Sequence, residues 1–282
     1  DVLDLSKIEA GHLVLDYVSF EISETLEGDG ASWEPLQLNL PRVSVRDLKV
    51  HDNDLIAATH GRAFWVIDDL SPLRQLADSV TAKSIHVFQP ATAIRWRGGP
   101  RGDINAAGSN PHGGAYIDYW FRDRPAGEVK LEFLDSGGKV VRTFTSTAKK
   151  PDSVKTAADS VARRVDAANA DSLAFMPGTE QVPMRAGANR FVWDLQVEEV
   201  KQLPNTVIDF GTTSGPRVPP GSYTVRLVAG KDTVTRPFTV IADPRAKSTA
   251  AELAEQFAAA MRIRDRINDI TALHTTQSGG IE

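Results

Sequence analysis

Carboxylates and histidines are the side chains with which this chain could do chemistry, and their spacing decides how far that reading goes. The six histidines are His12, His51, His60, His86, His112 and His274, and no two form the His-x-x-x-His pair that sets two imidazoles on one helix face for a metal ion. His51 stands beside Asp52 and Asp54, whose carboxylates suit a hard cation. The run His51-Asp52-Asn53-Asp54 also has the composition of a tight turn, and that is the reading taken here. Asp47 and the pair Asp68-Asp69 would serve glycosidase acid/base chemistry only if two carboxyls faced each other across a substrate, roughly 5 to 10 Å apart. Solvated strand ends are the simpler reading. The chain has no cysteine, which excludes disulfides, thiolate metal sites and cysteine nucleophiles. No glycine-rich phosphate cradle occurs. The sequence therefore assigns no catalytic, cofactor-binding or metal-binding residue.

Binding chemistry is also thinly marked. Trp65, Trp96, Trp120 and Trp193 are candidates for a carbohydrate platform. Trp193 falls in phase with Phe191 and Leu195 and reads as core, whereas Trp120 lies on the face opposite Ile117 and Tyr119. Arg101-Gly102-Asp103 is an integrin-type tripeptide in a Gly-rich stretch, and chance explains it best. Lys149-Lys150 and Arg163-Arg164 read as solvated basic pairs. The net charge of −5 argues against a nucleic-acid partner, which needs clustered Lys and Arg. No apolar run approaches the ~20 residues that span a bilayer. No basic-then-apolar signal segment opens the chain.

The elements that would position these residues are mostly short strands. Val2, Leu5 and Ile8 have helical spacing ahead of the stop Ala10-Gly11, and Leu13, Leu15 and Tyr17 then alternate as a strand. From Val43 to Ile67, three apolar runs are separated by the turn clusters at 51–54 and at His60-Gly61-Arg62, which predicts a meander unable to bury both of its faces alone. Residues 77–114 read as a connector, with loops at 98–102 and 108–114. From Ala115 onward, alternation over 115–121, 129–133, 139–145, 191–195, 223–227 and 234–241, with turns at Asp135-Ser136-Gly137-Gly138 and Gly230-Lys231-Asp232, predicts a β-sandwich. Residues 151–186 read as an insertion carrying one helix, with Val154, Ala157, Ala158, Val161, Val165 and Ala168 on one face. A last helix follows, with Thr249 and Glu252 at capping-box spacing and a stripe of Leu253, Phe257, Met261, Arg264, Ile267 and Ile270 turned to the sandwich or to a partner. The chain opens on Asp1 rather than Met and closes on the Gly-rich Gln277–Glu282 tail, and the expectation is a piece cut at both ends.

Asp1-Val2-Leu3-Asp4-Leu5-Ser6-Lys7-Ile8-Glu9-Ala10-Gly11 resembles the end of the second dimerisation helix of sensor histidine kinases, and Leu13 to Ile22 resembles the start of their ATP-binding domain. The phospho-accepting histidine of that family lies on an earlier helix and its nucleotide boxes lie downstream. His12 does not match the former, and the latter are missing. The resemblance implies a kinase-derived piece at residues 1–27. From about Gly28 the likeness changes. Gly30-Ala31-Ser32-Trp33 is similar to the second half of an Asp-box. Leu36 to Pro41, Val45-Arg46-Asp47-Leu48 and Ala58 to Trp65 resemble the last blade of bacterial sortilin-like or glycosyl hydrolase-like β-propeller proteins. Asn110 to Phe121, Glu128 to Phe144, Ala186 to Leu195 and Pro219 to Leu227 are similar to the Ig-like domain that follows such propellers, and also to that of flagellar hook-capping proteins. The abrupt change near Leu26 to Asp29 motivates the expectation of a fusion of two gene fragments.

The fold expected is mainly β: a propeller-blade remnant at 28–76, a connector at 77–114, and an Ig-like (fibronectin III or hook-capping-like) sandwich at 115–245. An amphipathic helix at 246–275 and a tail at 276–282 complete it. The function expected is a non-catalytic structural or interaction module of an exported bacterial β-propeller protein, with a protein or polysaccharide partner and a periplasmic or extracellular location implied by the resemblance. Two alternatives stay open: a fragment of a sensor histidine kinase, and an accessory region of a glycoside hydrolase-like enzyme.

Overall fold

A computed structural model of the chain describes residues 38, 40–96, 113–147, 181–201 and 213–278. The kinase-like segment 1–27, Gly30 to Trp33, Arg101-Gly102-Asp103, both basic pairs, His12, His112 and the expected insertion helix lie outside the described residues. The protein is mainly β, with a sheet that curls as a half-barrel and a long C-terminal helix. It divides into two compact units, Asp1–Ala82 and Lys83–Glu282.

The smaller unit carries the expected meander. Strands β1 (Val45–His51), β2 (Asp54–Thr59) and β3 (Phe64–Ile67) form one antiparallel sheet in chain order. Asp52 supplies a left-handed turn residue at φ +52° between β1 and β2, a conformation that Asp tolerates better than most residues. Two short helices follow, α1 (Ser71–Gln75) and α2 (Asp78–Thr81). Alternation puts Lys49, Ile56 and Val66 in one row, and Leu48, Ala57 and Trp65 in a row on the opposite face. Both faces are thus largely apolar. Yet no strand residue here is buried, and in the described part of this unit only Leu70 and Val80 are.

The larger unit has two sheets. One is ordered β5 (Ala93–Arg95), β11 (Asp232–Ala242), β10 (Gly221–Ala229), β7 (Val129–Leu134) and β8 (Val140–Thr145). The other is ordered β4 (Ile85–Val87), β6 (Ala115–Phe121) and β9 (Gly187–Trp193). All pairings are antiparallel except β5 with β11. Strands β4 and β5 correct the reading of 77–114 as a connector. At three residues each they are too short for periodicity to register. Pro237 is tolerated inside β11 because β5 covers only Val240 to Ala242, leaving that stretch at the sheet edge.

Both sheets feed one core. Ile117, Tyr119 and Phe121 from β6 and Phe191 and Trp193 from β9 join Leu131, Phe133, Val225, Leu227, Phe238 and Val240 from the other sheet. Trp193 is fully buried and stacks on Phe133 at 4.3 Å between ring centroids, so the aromatic contact bridges the two sheets. Beyond Trp193 the chain leaves the strand. Leu195 takes φ +63° yet stays buried, held where its carbonyl accepts the Val218 N–H. Segments 195–200 and 213–218 then run side by side, joined by Val197 N–H to the Pro216 carbonyl and Val200 N–H to the Thr213 carbonyl. Gly215 is required there, because a Cβ would fall 2.2 Å from the Val197 carbonyl oxygen. The same loop guards the edge of β8. The Glu198 N–H donates to the Val141 carbonyl, and its carboxylate accepts from the Thr143 N–H.

Helix α3 (Ala250–Ser278) starts on the expected capping box: Glu252 N–H donates to Thr249 Oγ1, and Thr249 N–H donates to the Glu252 carboxylate. Phe257 and Met261 pack against the core. The predicted stripe is corrected beyond Arg264. At 3.6 residues per turn Asn268 and Thr271 continue the face of Phe257, Met261 and Arg264, and they bond to the backbone N–H and carbonyl of Lys201, whereas successive steps of three carry Ile267 and Ile270 off that face. Ile267 and Ile270 turn outward and are exposed.

Candidate functional site

Of the residues singled out for chemistry, Asp54 and Asp69 hold backbone N–H groups of the smaller unit. His51 and Asp52 sit on the exposed β1–β2 turn. The Asp54 carboxylate accepts the Asp69 N–H, and the Asp69 carboxylate accepts the Ser71 N–H at the start of α1. Asp47 pairs with Ala58, four rows from Asp54, which is about 13 Å of strand and too far for a facing carboxyl pair. Among the described residues, no three His, Asp or Glu side chains group as a metal site.

Trp65, in the smaller unit, donates its indole N–H to the Arg62 carbonyl, and the three tryptophans of the larger unit lie in different surroundings. Trp193 is core. Trp96 follows β5 and has the Arg245 guanidinium 5.8 Å from its ring centroid. Trp120 lies on the outer face of the three-stranded sheet, in register with His86 and Ala188. Its indole N–H is buried with no hydrogen-bond partner among the described residues. His86 is buried too, and desolvation, with Lys83 and Arg236 nearby, lowers its pKa, so the ring is neutral near pH 7. On the same face Arg190 pairs with Asp118 at 2.8 Å and lies over the Tyr116 ring.

A feature without a sequence signal lies elsewhere in the larger unit. Arg124, Ser146, Gln181, Val182, Pro183, Met184 and Arg185 line an open groove of about 310 Å³. One wall is anchored at four points. Val182 N–H donates to the Thr145 carbonyl, and the Tyr119 hydroxyl donates to the Pro183 carbonyl at 2.6 Å. Asn189, itself buried, accepts the Arg185 N–H and donates to the Arg185 carbonyl. Val182 and Met184 tie the floor to the core, while Arg124 and Arg185 are exposed on the rim. Neither arginine has an acidic partner among the described residues, a condition they share with Arg262 and with Arg217 and Arg236, which donate to the Trp96 and Val87 carbonyls instead. Sequence reasoning missed the groove because about sixty residues of chain separate Arg124 from Arg185, and neither belongs to a motif.

Arg142 shows the opposite treatment. It points inward from β8 beside Phe144, and a buried guanidinium needs partners. The Val197 carbonyl at 2.9 Å and the Glu198 and Glu199 carboxylates at 3.7 and 3.4 Å supply them to its two terminal nitrogens, while Nε is buried with no hydrogen-bond partner among the described residues.

Comparison of the chain with protein-family models and with curated proteins gives no match. Among the described residues, no helix is long and apolar enough to cross a membrane.

Proposed function

We propose that the chain is a non-catalytic structural or interaction module, its larger unit an Ig-like β-sandwich and its smaller unit the last-blade remnant of an Asp-box β-propeller. Strand order is the observation that carries this reading. With β4 and β5 taken as two halves of a first strand, β4-β6-β9 corresponds to A-B-E, and β5-β11-β10-β7-β8 corresponds to A′-G-F-C-C′. Tyr223, near the start of the F-equivalent strand, donates its hydroxyl to the Pro219 carbonyl four residues upstream, in the manner of a tyrosine corner. In the smaller unit, a sheet apolar on both faces with no buried strand residue suits one layer of a larger stack. The partner class is protein or polysaccharide, met by an exported bacterial protein.

Two measurements test this on the whole chain. An experimental structure in which β5 does not join β11 would remove the Ig-like assignment. Turnover of any glycoside or peptide in a substrate panel would remove the non-catalytic one.

A further inference from the structure

We infer that the groove between Arg124 and Arg185 is a binding site for an acidic peptide segment, seating one apolar side chain on the half-buried Pro183 and Met184 with flanking carboxylates on the two arginines. This rests on the reading of the larger unit as an interaction module and names the ligand class it takes. The volume of about 310 Å³ is at the lower end of ligand pockets and suits a few side chains rather than a folded surface.

Three features of the groove choose the ligand. The rim guanidiniums are planar donors without an acidic partner among the described residues, and a carboxylate is the group such forks match bidentately. The nearby Glu128 carboxylate is already engaged by Thr147 and Lys130. The floor is aliphatic and thioether, with no aromatic ring among its lining residues. A sugar ring would lack a stacking surface there, whereas Met adapts to varied apolar side chains. The third feature is preorganisation. Tyr119, Asn189 and Thr145 fix the 182–185 wall through its backbone, so little ordering cost falls on binding.

Fluorescence anisotropy of the full chain with a labelled short peptide of Glu and Asp around one Leu tests the site. A Lys-for-acid version of the peptide and polygalacturonate serve as alternative ligands. Saturable binding of the acidic peptide, weakened by salt and by about ten-fold in each of Arg124→Gln and Arg185→Gln, is the expected result. The double variant Arg124→Glu/Arg185→Glu abolishes binding, while Arg262→Glu on the exposed side of α3 leaves it intact. Thermal melts of each variant confirm the fold, and the two Gln variants alter only exposed side chains. Undiminished peptide affinity in the double variant, or no affinity in the wild type, overturns the site. Binding of polygalacturonate that survives both substitutions, without peptide binding, overturns the groove and leaves the interaction-module reading standing.

Discussion

Trp193 and Phe64 are both aromatic residues on antiparallel strands, yet the first is fully buried and the second is 74% exposed. The two units that contain them differ in the same way. The larger unit sets two sheets around one core, so that the alternating residues of β6, β7, β9 and β10 all meet apolar neighbours. The meander has the same strand chemistry but a single sheet, and its apolar side chains stay half covered or open. Strand propensity and alternation thus make a sheet in both places, and only a second layer makes a core.

The largest contrast expected is in amide exchange. Leu55 to Thr59, on the central strand of the meander, should exchange orders of magnitude faster than Val225 and Leu227, on a central strand over the core, since a strand opens more easily where it buries little apolar surface. Equal protection in the two strands would break the comparison. Next in size is Trp193→Ala, expected to cost about 3–5 kcal/mol by denaturant titration because it empties the space between the sheets. Gly215→Ala follows at about 1–3 kcal/mol, since the Val197 carbonyl and its neighbours must move to admit a methyl group.

Tyr223→Phe is smaller, about 1 kcal/mol, from loss of the bond to the Pro219 carbonyl. It also has a pH signature. Burial first, then the Asp135 charge, raises the Tyr223 phenol from 10.0 to about 12. A folded-state pKa above the unfolded one means stability that is fully present below about pH 10 and lost as pH rises towards 12. Tyr119 is raised as well and titrates in both proteins. Wild type should therefore lose more stability than Tyr223→Phe across that window, and identical pH profiles would contradict the assignment. The smallest effect belongs to Phe64→Ser. A surface substitution should change stability within about 0.5 kcal/mol, and a large loss would mean that the meander has a covering layer.

Much of the strand plan was legible. The alternation of Ala115, Ile117, Tyr119 and Phe121 named the buried face of β6 correctly, because one side of that strand meets the core and the other does not. Turn chemistry at Asp135 to Gly138 and at Gly230 placed both hairpins. Trp193 was legible as core from its phase with Phe191. The short strands β4 and β5 were not legible, since three residues carry no measurable period. Ile267 and Ile270 look like core by type, yet at three-residue steps they rotate off the packed face, which polar Asn268 and Thr271 continue by bonding to Lys201. The binding groove had no signal, as Arg124 and Arg185 look like ordinary loop arginines until Asn189 and Tyr119 fix the wall between them.

The sequence by itself determined where strands and turns form, which side of each long strand is apolar, and the capped start of the last helix. These are local properties, set by side-chain alternation, turn residues and hydrogen bonds within a few positions. Tertiary structure decided which strands pair, that β5 joins β11 in parallel, that the two sheets of the larger unit share a core while no described strand residue of the meander is buried, and which arginines meet a carboxylate. Those outcomes depend on contacts between residues far apart in the chain, and no local pattern encodes them.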